Sequence, residues 1–153
     1  MIRKLEHQTT RIAEKIREVF QASYAVEAAL LGATDFPPLK RPTADFLDSP
    51  NDFYGYLKDG LMAGVVEVVP GKDSTHIQSL VVHPKFFRQG IGSALTGFVL
   101  NTYDCPVFTV ETGLDNGPAT SLYSKFGFRE IHQYDTDHGV RKVRFEKRMN
   151  PLP

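Results

Sequence analysis

The sequence predicts one domain over residues 1–153, of the α+β type within the α/β class, with a mixed, mostly antiparallel central sheet and helices packed on it. Three observations lead to this fold class. Apolar residues recur at helical spacing over residues 12–30 and again after Gly90. Residues 53–82 contain three apolar runs separated by turn sequences, as in an antiparallel meander. A chain of 153 residues, 41% of them apolar, has the size and composition of a single globular domain.

The first third of the chain is predicted to be mostly helical. A short strand at residues 2–6 is followed by a helix that Thr9 or Thr10 can cap and that Gly32 ends. The prolines that follow this glycine prevent the helix from continuing. A second, short helix is predicted over residues 43–47, between two further prolines.

Three strands are predicted next, over residues 53–57, 61–69 and 76–82. The first two flank Asp59-Gly60, a pair typical of tight hairpin turns. A proline and a glycine make the turn between the second and third strands.

The second half of the chain alternates between helices and strands. Helices are predicted over residues 90–103 and 118–126, with a short buried strand at 107–112 between them. Two last strands follow, at residues 128–134 and 141–146. Because a crossover helix separates the strand at 107–112 from the one before it, we expect these two strands to be parallel neighbours.

Composition excludes several classes of protein. Eighteen basic and eighteen acidic residues cancel, so neither nucleic acid nor an anionic membrane is expected as a partner. No apolar run reaches the length of a membrane span, and the first residues lack the apolar core of a signal peptide. One cysteine, Cys105, excludes an internal disulfide and fits a reducing compartment, which predicts a cytoplasmic protein. The five histidines lack metal-site spacing, so no metal is expected.

An anion site is predicted where the third strand leads into the helix at Gly90. Helix starts carry unpaired N–H groups and a positive dipole end, and Gly90 and Gly92 allow a ligand close to the main chain. A dinucleotide-binding fold is disfavoured, since its third glycine would be Leu95. The phosphate loop of nucleoside triphosphatases is absent. The glycine pair alone is also compatible with an ordinary turn.

Two motifs together resemble the GNAT-family N-acetyltransferases. The first is Val-x-Pro at residues 82–84 followed by Gly90-x-Gly92. The second is Asn-x-x-Ala-x-x-Leu-Tyr-x-x-Phe-Gly-Phe at residues 116–128. The resemblance implies helices on both faces of the sheet, acetyl-CoA as the acetyl donor, and a primary amine as the acceptor. It also implies that the two parallel strands splay apart so that pantetheine lies between them.

The resemblance further implies which residues bind acetyl-CoA. Main-chain groups of Leu80, Val81 and Val82 would pair with the pantetheine amides, as an added strand would. The pyrophosphate would rest on the N–H groups of the helix start, and two side chains of the second motif would face the cofactor. The residues implied for these two tasks are Arg88, Gln89, Gly90, Ile91, Gly92, Ser93, Asn116 and Tyr123. The chain departs from the family at Phe87, where glutamine or arginine is usual, and Arg88 is the natural substitute.

Acetyl transfer to an amine needs a base for the amine and an acid for the leaving thiolate. Tyr123 is the candidate acid. Glu111, at the end of a strand beside the expected cleft, is the candidate base, acting directly or through water. Glu67 is a second candidate for the base, although its side chain could instead face solvent. Gln78 occupies a position where related enzymes often carry an acid, but an amide side chain cannot act as a base. A covalent route through Cys105 is disfavoured, because this thiol lies in a turn without a histidine nearby in sequence.

The acceptor amine is expected to lie between residues 21–58 and the hairpin at 134–141. Several aspartates within residues 34–52 would suit a cationic amine, either of a small molecule or of a protein. The alternating charges of residues 141–148 fit an exposed strand face or a basic patch for the 3′-phosphate of CoA. The rival to an enzyme is a non-catalytic acyl-CoA-binding module, and a homodimer through the last strands is possible.

Overall fold

The predicted helices and strands are all present in the computed structural model, which describes residues 1–149; residues 150–153 of the predicted domain lie outside the described part. The bounds differ from the predicted ones by at most two residues. In chain order the elements are β1 Ile2–Lys4, α1 Thr10–Leu31, α2 Thr43–Leu47, β2 Asp52–Lys58, β3 Leu61–Val69, β4 Thr75–Val82, α3 Ile91–Thr102, β5 Val107–Gly113, α4 Gly117–Lys125, β6 Arg129–Asp135 and β7 Arg141–Arg148. The structure also contains two short 3₁₀ turns that were not predicted, Pro37–Lys40 and Pro84–Phe86.

The strands form one sheet in the order β1-β2-β3-β4-β5-β7-β6. β4 and β5 are parallel, and the other neighbouring strands are antiparallel. The mixed sheet with one parallel pair is therefore confirmed. β7 inserts between β5 and β6, an order that the sequence pattern does not specify.

Helices cover both faces of the sheet, as the resemblance implied. On one face, α1 and α2 bury Ile16, Phe20 and Phe46 together with Val65 of β3. On the other face, α3 and α4 pack against Val66 and its neighbours in the sheet. Successive residues of a strand point to opposite faces, so the valine run of β3 supplies both cores.

A β-bulge in β4 opens the site. β4 pairs with β3 from Gly64 opposite Val82 down to Glu67 opposite Ser79, and then shifts so that Gln78 has no partner. Pairing between β4 and β5 ends at Ile77, immediately before the bulge. Because a bulge bends its strand, β4 diverges from β5 over the rest of its length. The predicted splay of the parallel pair is confirmed, and its physical cause is the extra residue Gln78.

The start of α3 packs closely against Gly64 of β3. A Cβ built on Gly64 would lie 2.8 Å from Ile91 Cγ2 and 3.1 Å from the Val81 carbonyl oxygen. Overpacking of this kind costs about 1–3 kcal/mol. We therefore expect Gly64→Ala to lower the free energy of unfolding by that amount in urea denaturation. The matched control is Gly117→Ala, where nothing lies within 4 Å of the added atom; an equal loss in both variants would contradict this account.

Candidate active site

A cavity of about 970 Å³ opens where β4 and β5 diverge. Its walls come from the end of α1, the segment around the Pro37–Lys40 turn, the start of α3, the first two turns of α4, and the β6–β7 hairpin. The expected acceptor segments, residues 21–58 and 134–141, both contribute to it, through residues such as Phe36 and His138. One cavity thus joins the predicted cofactor cleft to the predicted acceptor region.

The loop before α3 has the backbone shape that exposes N–H groups. Arg88 and Gly90 both have positive φ, of 63° and 77°. Among residues 1–149, no side chain caps α3 at Gly90, so the N–H groups of its first turn are available to a ligand. Phe87 is 41% exposed and lines the same cavity beside Arg88.

Nine of the eleven predicted cofactor-binding residues line this cavity. From β4, the loop and α3 these are Leu80, Val82, Arg88, Gly90, Ile91, Gly92 and Ser93. From the α4 motif they are Asn116 and Tyr123. Two do not line it: the side chain of Val81 is buried in the α1 core, and the side chain of Gln89 accepts a hydrogen bond from Lys58.

Tyr123 is fixed by apolar contacts at the inner end of the cavity. It is 4% exposed, and its ring lies 5.6 Å from that of Phe128 and 6.0 Å from that of Phe145, measured between centroids. Burial, with the nearby ionisable groups of Tyr24 and Glu27, raises the pKa of Tyr123 far above its usual value. The phenol is therefore protonated at neutral pH and can act only as a proton donor from that state.

Glu111 lines the cavity but is held on the sheet by two partners. Tyr134 donates a hydrogen bond of 2.5 Å to one carboxylate oxygen, and Arg144 donates one of 2.8 Å to the other. Burial opposes ionisation of Glu111, but these donors and the charge of Arg144 outweigh it and lower its pKa. The bond to Glu111 raises the pKa of Tyr134 to about 12. Glu111 is thus a stably ionised carboxylate.

Glu67 is buried, so the solvent-facing alternative for this residue is wrong. Its side chain is 0% exposed and accepts two hydrogen bonds from Arg41, at 2.7 and 2.9 Å. Asn51 donates to it at 2.9 Å and Ser79 at 3.0 Å. The guanidinium carbon of Arg41 lies 4.2 Å from the Phe46 ring centroid. This cluster ties the cavity wall at Arg41 to the bulged part of the sheet, which is a structural task.

Sequence reasoning missed one acidic residue of the cavity, Glu27. It lies on α1 and accepts a hydrogen bond of 2.5 Å from the side-chain amide of Asn116. Asn116 also caps α4, since its Oδ1 accepts from the Ala119 backbone N–H. The sequence feature that could have indicated Glu27 is its charge within the otherwise apolar stretch from Ala25 to Leu31.

Cys105 does not line the cavity. Its thiol is buried 3.4 Å from the Val107 carbonyl oxygen, in agreement with a structural role for this turn. Within residues 1–149, no group of three or more metal-binding side chains comes together. In the same range, no helix combines the length and apolarity that crossing a membrane requires.

Comparison with known proteins finds similarity to a family model, to a curated protein and to solved structures. The family model described as "Acetyltransferase (GNAT) domain" matches residues 21–149. The curated UPF0157 protein YqkA of Bacillus subtilis is 35% identical over 141 residues, which are 92% of this chain and 41% of that protein. The chain therefore spans less than half the length of this curated relative.

Among solved structures, the ribosomal-protein-S18-alanine N-acetyltransferase of Escherichia coli superposes with a TM-score of 0.77 at 19% identity. The alignment covers 100% of this chain and 96% of that one. The PaiA N-acetyltransferase of Thermoplasma acidophilum, solved with coenzyme A, gives a TM-score of 0.74 at 19% identity, over 97% and 98% of the two chains. At these identities the structural similarity establishes the fold.

Proposed function

Since the chain belongs to the GNAT acetyltransferase family and is an acyltransferase, we propose that it moves the acetyl group of acetyl-CoA to a primary amine by direct attack. The observation that carries this proposal is the gap between β4 and β5. It begins at the bulged Gln78 and runs from the start of α3 to the end of α1 around Glu27. A donor and an acceptor could therefore meet inside one cavity.

The donor half of the cavity suits acetyl-CoA. Beyond Ile77, β4 no longer pairs with β5, so its main chain on that side can pair with pantetheine amides as an added strand would. The pyrophosphate would then reach the uncapped first turn of α3, where N–H groups and the helix dipole favour an anion. Arg88 would shield the phosphates where Phe87 cannot. The solved PaiA relative, which carries coenzyme A, supports this assignment.

In the proposed reaction, the neutral amine attacks the thioester carbonyl. The new N–C bond forms as the C–S bond breaks, and Tyr123 donates a proton to the departing thiolate. The predicted role of Glu111 as base stays a proposal. Because Arg144 and Tyr134 occupy its oxygens, Glu111 could take part in that role only through water.

The acceptor half of the cavity carries charges of both signs. Its lining includes the carboxylates of Glu27, Asp45 and Glu111, the cations of Lys40, Arg41 and Lys142, and the aromatic ring of Phe36. Because Glu111 is paired with Arg144, we assign attraction of a cationic amine to Glu27 and Asp45. The Escherichia coli relative is named for an alanine of a ribosomal protein. For this chain the acceptor stays either a small molecule or a protein amine. The single domain over residues 1–153, the cytoplasmic location and a homodimer through the exposed edge strand β6 also remain predictions.

Calorimetry with acetyl-CoA, followed by thiol release in the presence of an amine panel, tests this function. An acetyltransferase binds acetyl-CoA and releases thiol only when a suitable amine is present. Binding without turnover over a broad panel would favour the rival, a non-catalytic acyl-CoA-binding module. Absence of binding would contradict both.

Arg88→Gln is expected to raise the dissociation constant of acetyl-CoA about tenfold. Hydrogen bonds to charged groups contribute about 1.5–3 kcal/mol, and a factor of ten corresponds to about 1.4 kcal/mol. The change should also reduce the dependence of binding on salt. Calorimetry at two ionic strengths measures both effects. The matched control is Lys85→Gln, a cation of the neighbouring turn that does not line the cavity; equal weakening in both variants would exclude a specific phosphate contact by Arg88.

A further inference from the structure

The carboxylates that line the cavity differ in how much of their charge is already neutralised. Glu111 has an ion pair with Arg144 and a hydrogen bond from Tyr134. Glu27 accepts one hydrogen bond, from the neutral amide of Asn116. Within residues 1–149, no ion pair to Glu27 is formed. Of the two glutamates that line the cavity, Glu27 is therefore the one whose charge is less neutralised.

Asn116 holds Glu27 in a defined place. Asn116 is itself fixed as the cap of α4, through its Oδ1 and the Ala119 N–H at 3.2 Å. Its amide nitrogen is then directed at Glu27 Oε1, at 2.5 Å, and lies 3.4 Å from Thr112 Oγ1 of β5. Asn116 caps α4 and Tyr123 lies within it, so the same helix positions Glu27 and the proposed acid.

The electrostatic neighbours of Glu27 come from α1, α4 and β7. Its charge opposes ionisation of Tyr24 on α1 and of Tyr123 on α4. The positive charge of Lys142 on β7 favours the ionised form of Glu27. Burial raises the pKa of Glu27, against the Asn116 hydrogen bond and the charge of Lys142. A carboxylate of raised pKa is a stronger base than Glu111, whose pKa is lowered.

We propose that Glu27, positioned by Asn116, is the residue that takes the proton from the acceptor's ammonium group before attack. The inference rests on the proposed function and puts Glu27 in place of Glu111 as its base. The first proton of the ammonium passes to Glu27 and from there to solvent. After the N–C bond forms, the nitrogen loses a second proton, which restores the one that Tyr123 gave to the thiolate. The products are the acetylated amine, CoA thiol and one released proton.

The experiment compares Glu27→Gln with Glu111→Gln and with Glu18→Gln, an exposed glutamate of the same helix. For Glu27→Gln we expect kcat/KM at neutral pH to fall about 10²–10⁴-fold, the range for loss of a general base. The acidic limb of its pH profile should shift, so that activity rises with pH as the free amine becomes available. Acetyl-CoA binding by calorimetry and the melting temperature should stay as in the wild type. Glu18→Gln should match the wild type throughout.

Three results would overturn the inference while leaving the proposed function intact. The first is a Glu27→Gln variant with unchanged kcat and an unchanged pH profile. The second is a variant with raised KM alone, which would make Glu27 a binding residue. The third is loss of the acidic limb in Glu111→Gln but not in Glu27→Gln, which would identify Glu111 as the base. If the wild type turns over no amine, the proposed function fails and this inference fails with it.

Discussion

Tyr123→Phe is expected to lower kcat about 10²–10⁴-fold, the range for loss of a general acid. The substitution removes only the hydroxyl oxygen. The ring keeps its contacts with Phe128 and Phe145, so the position of α4 on the sheet is retained. Without the phenol, the thiolate departs unprotonated. Steady-state kinetics with one amine of the panel measure the loss.

Two controls make this result specific to proton donation. Tyr56→Phe, on β2 and outside the cavity, should leave kcat unchanged. A thioester whose thiol is much more acidic than that of CoA needs less protonation, so the Tyr123→Phe defect should shrink with that donor. An unchanged kcat in Tyr123→Phe, or the same defect with both donors, would remove Tyr123 from the role of acid.

Glu67→Gln is expected to lower the free energy of unfolding by about 3 kcal/mol, because removing one partner of a buried ion pair leaves the other charge uncompensated. The value is taken at the low end of the known range since the Arg41 side chain is 22% exposed. For a domain of this size the melting temperature should fall by on the order of 10 °C. The matched control is Asp135→Asn, which breaks the exposed pair with Arg141 and should change stability little. An equally small change in Glu67→Gln would contradict the structural role of the cluster.

The stabilisation by Glu67 should also depend on pH. Burial opposes its ionisation, but the bonds from Arg41, Asn51 and Ser79 outweigh burial and hold its pKa below its ordinary value of 4.5. The unfolded chain therefore takes up this proton at higher pH than the folded one. The contribution of Glu67 is complete above the unfolded pKa and is lost as pH falls through the folded pKa. The stability difference between wild type and Glu67→Gln should shrink on acidification, and a constant difference would contradict the account.

Local signals predicted the elements of this fold, because each signal lies within the element or next to it. Asp59-Gly60 marks its hairpin, and the prolines after Gly32 end α1 without reference to the rest of the chain. The position of β7 between β5 and β6 depends on long-range pairing and has no such local signal. The bulge at Gln78 is likewise a property of β3 and β4 together, although Gln78 also departs from the acid that related enzymes often carry there.

The donor side of the site was predictable from sequence for the same reason. The residues from Val82 to Gly92 and from Asn116 to Phe128 are contiguous motifs. The acidic residues were harder to place, since their tasks depend on distant partners. Arg41 reaches Glu67 across 26 residues, and Asn116 reaches Glu27 across 89. Glu67 therefore could not be recognised as buried, nor Glu27 as part of the cavity, before the fold was known.

Amine-dependent release of CoA from acetyl-CoA by the wild-type chain is the decisive measurement for the proposed acetyl transfer. We expect thiol release that requires an amine of the panel, saturates with it and yields one acetylated amine for each thiol. Tight binding of acetyl-CoA without amine-dependent release over the whole panel would contradict it and would leave the chain as a binding module of the same fold.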